Sequence, residues 1–511
     1  MIFDGCGNLY VGGNITTSFD TSASNILYWS RSNSWSRLSP SGVRNNQNGT
    51  NGQVNAIAIS GSTVYVGGAF TTVRDVSYVG LSSNYVSSWN TDTQRWTPLG
   101  GITSATNGLN NICYAMVYDN CFNLLYVGGN NFTKTSDATG YDLSANNIAA
   151  WNPKTRSWWA LGSSIGNTNN GITSTRCNAL AVTRDTQLYV GGLITVGNNI
   201  DRFVPTNNAL VWNPSTYTFS VLGGNIKTGL NSFANAMILD STNTKLYIGG
   251  QFTTMTDNLV LYNTNNNGVY DLISNRFNPL GDISFNGLNG IPNVFAMDIY
   301  KNILYVAGRF TKASDRTRSN IQCSNIVAYD ISNNIWMDID TPAWGGVNGE
   351  VLDMIMDSNS GLLYVVGAFT RVFDSSNTSF NANYMAVYNT INKKWGRLGS
   401  TDASNNGTNG IIRKIAFDSE NYKLHVGGDF TTVYDISNNA LNIRYIGTIN
   451  TSTNRWSRFD NSRYSALNSN VNTLNYNNLT NDLFVFGNFT TVTNINPLNT
   501  YTIERFGTYY F

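Results

Sequence analysis

A single histidine, His425, stands in a chain of 511 residues. That scarcity excludes His-rich zinc, copper and non-haem iron centres within one chain. Any Ser-His-Asp or Cys-His nucleophile system would have to be built on that one ring. Charge is equally thin: Asp, Glu, Lys and Arg make up 12% of residues, against a usual share of roughly 25%. The 31 basic and 30 acidic side chains nearly cancel. A nucleic-acid binder needs a basic excess to neutralise phosphates, and a binder of anionic membranes needs a polybasic cluster; neither is present. The five cysteines are an odd number, and none forms a Cys-x-x-Cys pair. No run approaches ~18 consecutive apolar residues, so no transmembrane helix is readable. The first residues, Met1-Ile2-Phe3-Asp4-Gly5, lack the basic start and apolar stretch of a classical signal peptide.

Polarity comes from uncharged groups. There are 77 asparagines, about 15% of the chain, with Ser and Thr also abundant. Such a composition reads as disorder only when apolar residues are scarce. Here 41% of residues are hydrophobic and 13% aromatic, ample for a large core.

One phrase, Leu-Tyr-Val-Gly-Gly-x-Phe-Thr with variations, occurs nine times. Its tyrosine place is held by Tyr10, Tyr65, Tyr126, Tyr189, Tyr247, Tyr305, Tyr364, His425 and Phe484, at intervals of 55 to 63 residues. A near-constant period of this length marks a repeat architecture rather than several unrelated domains. Each unit has further fixed points. Before the tyrosine comes Val-x-Ala or a relative, as at Val54-Asn55-Ala56 and Cys113-Tyr114-Ala115. After it comes an apolar run ending in an aromatic and Asn or Asp, as at Ile148-Ala149-Ala150-Trp151-Asn152. A second aromatic follows: Trp96, Trp158, Trp336, Trp395 or Trp456, with Phe219 and Phe277 elsewhere. Each unit thus reads as four short alternating segments rich in Val, Ile, Tyr, Phe and Trp, separated by turn residues. None shows the helical i, i+3, i+4, i+7 pattern. Four antiparallel strands make one propeller blade, and blades bury both faces by packing on their neighbours.

The expected fold is therefore all-β: a single β-propeller over residues 1–511 with about nine four-stranded blades. The blades fall at 1–53, 54–112, 113–176, 177–233, 234–292, 293–350, 351–410, 411–470 and 471–511. Eight blades plus an extra hairpin is the alternative, because the last unit is short.

These residues resemble the kelch-type propeller repeat. They are still more similar to the repeats of cortical cell-polarity marker proteins, which share Leu-Tyr-Val-Gly-Gly-x-Phe-Thr and Trp-x-x-Leu-Gly. The resemblance covers essentially the whole chain and implies a fold more than an activity, since such rings serve as enzymes, lectins and scaffolds alike. The Asn-rich, Lys-poor composition is also similar to that of proteins of amoeba-infecting giant DNA viruses, which would make the chain a virion or surface component.

Known propeller chemistries are excluded by subtraction. A kelch-type copper oxidase needs two His ligands. The Ser-x-Asp-x-Gly-x-x-Trp box of sialidases and the Asp-x-Asp-x-Asp-Gly calcium loop of integrins do not occur, nor does a phosphate-binding Gly-x-x-x-x-Gly-Lys-Ser/Thr loop. No catalytic, cofactor-binding or metal-binding residue is assigned. His425 is read as a packing substitute for tyrosine, and Cys113 and Cys177 as free structural thiols. An acidic residue recurs after Gly-Gly-x-Phe-Thr, at Asp20, Asp75, Asp137, Asp257, Asp315, Asp374 and Asp435, with Asn199 and Asn494 in the other units. Each stands alone, so the expectation is a loop clamp that accepts backbone N–H bonds rather than a cation site.

The segments after strands two and four are long and differ between units, whereas those after one and three are short. Long unit-specific loops on a rigid scaffold are where binding usually resides, and Arg and aromatic side chains dominate interfaces. The candidate interaction face is therefore Tyr78, Tyr141, Arg202, Phe203, Arg316, Arg318, Trp344 and Phe380. It would take a protein partner or a second copy of the chain. A carbohydrate ligand is the alternative, favoured by aromatics and low charge. Neither nucleic acid nor membrane insertion is expected.

Overall fold

The computed structural model describes the chain outside a set of short segments. These are chiefly 39–48, 75–79, 102–106, 163–169, 224–227, 240–243, 281–286, 316–320, 340–344, 375–378, 458–466 and 478–481, with further short stretches and single positions elsewhere. Among the described residues there is no helix, and strands follow one another as antiparallel meanders. Nine main sheets hold the repeated phrase, eight with four strands along their path and one with three, and smaller sheets of two or three strands accompany them. Sheet 2, for example, runs Val54–Ser60, Thr63–Gly68, Val86–Asn90 and Arg95–Pro98. Sheet 3 runs Cys113–Asp119, Leu124–Gly129, Ile148–Asn152 and Ser157–Ala160. Sheet 4 runs Ile172–Val182, Leu188–Asn198, Ala209–Asn213 and Thr218–Val221. Sheets 1, 5, 6, 7 and 8 are those whose second strands are Leu9–Gly12, Lys245–Gly250, Ile303–Arg309, Leu362–Gly367 and Lys423–Gly428, and sheet 9, with Asp482–Gly487, ends on its third strand, Phe506–Tyr510. The Leu-Tyr-Val-Gly-Gly phrase is always the second strand.

The chain divides into two compact units, Met1–Pro279 with sheets 1 to 5 and Leu280–Phe511 with sheets 6 to 9. Within each unit the first strands of successive sheets lie side by side. The core is correspondingly a series of layers, one between each pair of neighbouring sheets. Between sheets 2 and 3 it contains Tyr65, Val86, Leu99, Cys113, Leu125, Trp151 and Trp158. Between sheets 6 and 7 it contains Tyr305, Ala307, Ile326, Val351, Leu363 and Trp395. This layering explains why apolar residues occupy both faces of each strand.

The Gly-Gly pair performs two separate tasks. A Cβ on Gly67 would stand 2.4 Å from Cys113 Sγ of the next sheet, so this position is small to let sheets approach. A Cβ on Gly68 would stand 2.0 Å from Gln53 O of its own sheet, where the pairing register slips between Val54 and Ala56. That slip is a β-bulge, and it recurs in sheet 3 between Cys113 and Ala115.

Three fourth-strand tryptophans reach a backbone carbonyl beyond their own sheet through the indole, whereas Trp395 and Trp456 bury theirs without a hydrogen-bond partner among the described residues. Trp96 Nε1 donates to Leu38 O at 2.8 Å, Trp158 Nε1 to Leu99 O at 3.0 Å, and Trp336 Nε1 to Leu280 O at 2.7 Å. Trp158, Trp336 and Trp395 are all buried, as the repeat pattern requires.

Candidate functional site

The segments after the second strands are not irregular loops. They carry secondary hairpins: Thr72–Arg74 with Gly80–Ser82, Lys134–Ser136 with Asp142–Ser144, and Arg371–Phe373 with Ser379–Asn381. In sheet 4 the second strand itself runs on to Asn198 and pairs with Phe203–Pro205. A short strand from the segment entering each sheet adds to several hairpins. Gly49–Thr50 pairs with Val73–Arg74, and Gly108–Leu109 with Thr135–Ser136.

An asparagine closes these joints in sheets 2, 3 and 5 to 8, whereas sheet 4 has Thr173 at that place. Asn110 Oδ1 accepts from Thr133 N at 2.8 Å and Lys134 N at 3.1 Å, while its Nδ2 donates to Thr133 Oγ1 at 3.0 Å. The same three bonds are made by Asn51, Asn231 and Asn289. They recur again at Asn348 and Asn409. The threonine of Gly-Gly-x-Phe-Thr is therefore one half of a clamp. The sequence reading missed its other half. The signal was there: an Asn-Gly-x-Asn or related run recurs about twenty residues ahead of that threonine.

The recurrent acidic position also clamps at Asp315 and Asp257. Asp315 Oδ2 accepts from Trp336 N at 2.6 Å and Asp257 Oδ2 from Phe277 N at 3.1 Å, each fixing the fourth strand of its sheet. Asn199 does the same work with Phe219, accepting from its N at 2.6 Å. Burial pushes the Asp257 carboxyl above the usual carboxylate range, against the Phe277 N–H bond and Arg276. Asp137 and Asp435 instead close local turns, through Tyr141 N and Asn439 N. Asp20 and Asp75 lie outside the described residues. Among the described residues no group of three His, Cys, Asp or Glu side chains is placed to hold a metal ion.

Of the candidate interaction residues, Tyr141, Arg202 and Phe203 are exposed on the hairpin side, Phe203 at 60%. Tyr141 immediately precedes the return strand of the sheet 3 hairpin, Asp142–Ser144, and Phe203 opens that of sheet 4. Phe380 is half-buried under the Arg397 guanidinium, 4.7 Å from the ring centre, and Arg397 Nε donates to Asn381 O at 2.7 Å. Tyr78, Arg316, Arg318 and Trp344 lie outside the described residues.

His425 is fully buried in the tyrosine place of sheet 8. Its Nδ1 lies 2.8 Å from Thr448 Oγ1 and its ring 5.0 Å from that of Tyr476 on sheet 9. Tyr65 packs on Tyr118 of the following sheet in the same way, at 5.5 Å. Desolvation drives the imidazole pKa down to about 3, with Asp418 opposing and Lys423 adding to the shift. It is a packed neutral ring, unsuited to proton transfer near neutrality. Cys113, Cys177 and Cys323 are buried free thiols, and Cys121 is an exposed one. Burial raises Cys177 to about 12, far from a reactive thiolate.

No protein-family model matches the chain. Two curated fungal proteins are similar to it. "Polarized growth protein rax2" of Schizosaccharomyces pombe is 24% identical over 429 residues, which cover 75% of this chain and 34% of that protein. "Polarized growth protein RAX2" of Candida albicans is 27% identical over 188 residues, covering 34% of this chain and 13% of that protein. The chain thus matches about a third or less of the length of these relatives. The distant similarity supports the polarity-marker type of repeat.

Proposed function

We propose that the chain is a rigid, non-enzymatic interaction module of the polarity-landmark kind, its nine sheets forming the blades of one propeller. The partner, a protein or a second copy, docks on the hairpin side. The observation that carries this reading is the set of hairpins, six of them held by the same asparagine clamp, on which the exposed side chains differ from unit to unit. A scaffold that repeats its supports and varies its tips is built to present surface. The similarity to polarized growth proteins favours this setting over a virion role. The face is made of Tyr141, Arg202, Phe203 and Phe380 together with Tyr78, Arg316, Arg318 and Trp344.

Cross-linking followed by peptide mapping tests the face, with Phe203→Ala plus Arg316→Ala as the variant. The double variant should lose at least about tenfold in affinity, as interface anchors of ~1–2 kcal/mol do, with an unchanged melting temperature. Cross-links confined to the turns between strands one and two or three and four would refute the assignment. Negative-stain images that show two separate bodies rather than one ring would refute the single propeller. Selective capture on a glycan array would favour a carbohydrate ligand instead.

A further inference from the structure

A cavity of about 360 Å³ opens beside sheets 3 and 4, lined by short-turn residues Phe122, Pro214 and Tyr217 and by fourth-strand residues, with the buried Leu143 of the sheet 3 hairpin also in its wall. Its wall is aromatic: Phe122, Trp159, Trp212 and Tyr217, with Pro214 and Tyr126. Such a size and lining suit a small ligand. Three of these rings reach solvent, Phe122 at 46%, Trp159 at 38% and Tyr217 at 60%. Tyr217 is held there by a left-handed backbone, φ 56°, and sets its ring edge-on to Trp212 at 6.4 Å.

The cavity coincides with a lapse in the repeat. At the sheet 2–3 contact Trp158 supplies an indole N–H to Leu99 O. At the sheet 3–4 contact the corresponding residue is Phe219, which has no donor to give. A second substitution matters more. The hydroxyl of Tyr305 hydrogen-bonds Thr390 of the next sheet, and that of Tyr364 hydrogen-bonds Thr451. Both threonines directly follow the asparagine that ends a third strand. For Tyr126 that position is Pro214, which carries no hydroxyl. Tyr126 is 1% exposed, and its Oη is buried without a hydrogen-bond partner. Burial, with Asp119 and Tyr217 nearby, holds this phenol neutral, so it has a proton to donate. Buried polar groups left unpaired are rare and call for a partner.

We propose that the cavity binds a small flat aromatic molecule of one or two rings, stacked among Trp159, Trp212 and Tyr217, with an acceptor atom on Tyr126 Oη. The site is distinct from the hairpin face and does not depend on the partner proposed there. The wall selects for planarity, and the lone hydroxyl selects for an acceptor over an isosteric hydrocarbon.

The test compares 6-fluoroquinoline with 2-fluoronaphthalene, equal in shape and differing in the ring nitrogen, by fluorine NMR line broadening on the full chain. Quinoline should bind about fivefold more tightly, the value of one neutral hydrogen bond near 1 kcal/mol. Tyr217→Ala should weaken both probes by at least about fivefold. Pro214→Thr, which supplies Tyr126 with the internal partner that Thr390 and Thr451 provide elsewhere, should erase the preference for quinoline. Tyr126→Phe should erase it too, and decides the matter if Pro214→Thr does not fold. The proposal is overturned if neither probe broadens, if Tyr217→Ala changes nothing, or if the preference survives Tyr126→Phe.

Discussion

The contacts between sheets 2 and 3 and between sheets 3 and 4 are built from the same repeat, yet they finish differently. In the first, Tyr65 stacks on Tyr118, with which it hydrogen-bonds, and Trp158 reaches across to Leu99 O. In the second, Phe219 replaces the tryptophan and Tyr126 Oη is left alone beside a cavity; a proline stands in the threonine place at both contacts, Pro153 and Pro214, but only Tyr65 has a second tyrosine to bond. Both layers are otherwise built of buried apolar side chains. The difference separates two jobs within one architecture. Apolar packing holds neighbouring sheets, and the polar ties are additions that the repeat can drop, as the unpaired indoles of Trp395 and Trp456 also show.

The largest effect should come from breaking the saturated contact. Trp158→Ala removes a buried ring and should cost ~3–5 kcal/mol by the cavity argument, read as a fall in melting temperature. Trp158→Phe copies the state of sheet 4 and should cost only ~1–2 kcal/mol for the lost indole bond. If the two variants melt alike, the tie rather than the packing carries the contact.

A third contact, between sheets 8 and 9, sharpens the comparison through pH. The folded pKa of His425 is about 3, below an unfolded value near 6.5. Above pH ~6.5 the ring is neutral in both states and its stabilisation is intact. As pH falls from there toward 3, the unfolded chain takes up a proton that the folded ring refuses, and stability is lost. The slope is ~1.4 kcal/mol per pH unit. His425→Tyr restores the residue that most units use and should flatten this loss. Melting temperatures of the two proteins should diverge between pH 6 and pH 4 (about the span set by the two pKa values) and run parallel above pH ~7.

The smallest effect concerns the joints. Asn110→Ala frees two backbone N–H groups and one threonine hydroxyl at an exposed site. It should cost ~1 kcal/mol, since water replaces part of what is lost. Amide exchange at Thr133 and Lys134 should quicken while Trp158 and its layer are unaffected. Unchanged exchange at both would show that the hairpin stands without its clamp.

The main strands were legible because their residues carry the information. Tyr65, Tyr126 and Tyr364 in the second strands, and Trp96, Trp158 and Trp336 in the fourth, recur at one period and are buried where that period puts them. The hairpins were not legible. Lys134-Thr135-Ser136 and Asp142-Leu143-Ser144 hold one large apolar residue between them, too few for alternation to register as a strand. They form because backbone pairing and Asn110 hold them, and neither leaves a hydrophobic pattern. For the same reason the exposed tips were expected as loops. The cavity was hidden for another cause. It lies where Phe219 brings no indole and Pro214 no hydroxyl to Tyr126, and a missing hydroxyl shows only when the corresponding threonines are seen at work.

The asparagine-bearing segment that enters each sheet has one more consequence. At 107–110 it gives Leu109 N to Asn84 O of sheet 2, while Asn110 grips the hairpin of sheet 3. The seam is therefore joint property, and no cut frees one sheet with all its bonds. A fragment beginning at Cys113 forfeits the hairpin's third strand, and one ending at Leu99 forfeits the bond to Asn84. In a linear array the energy divides between what each element contributes alone and what it shares with its neighbour. A seam of this kind places weight on the shared part. Runs of sheets bound in this way melt as blocks, and a lesion in one joint is felt by the sheets on both sides of it.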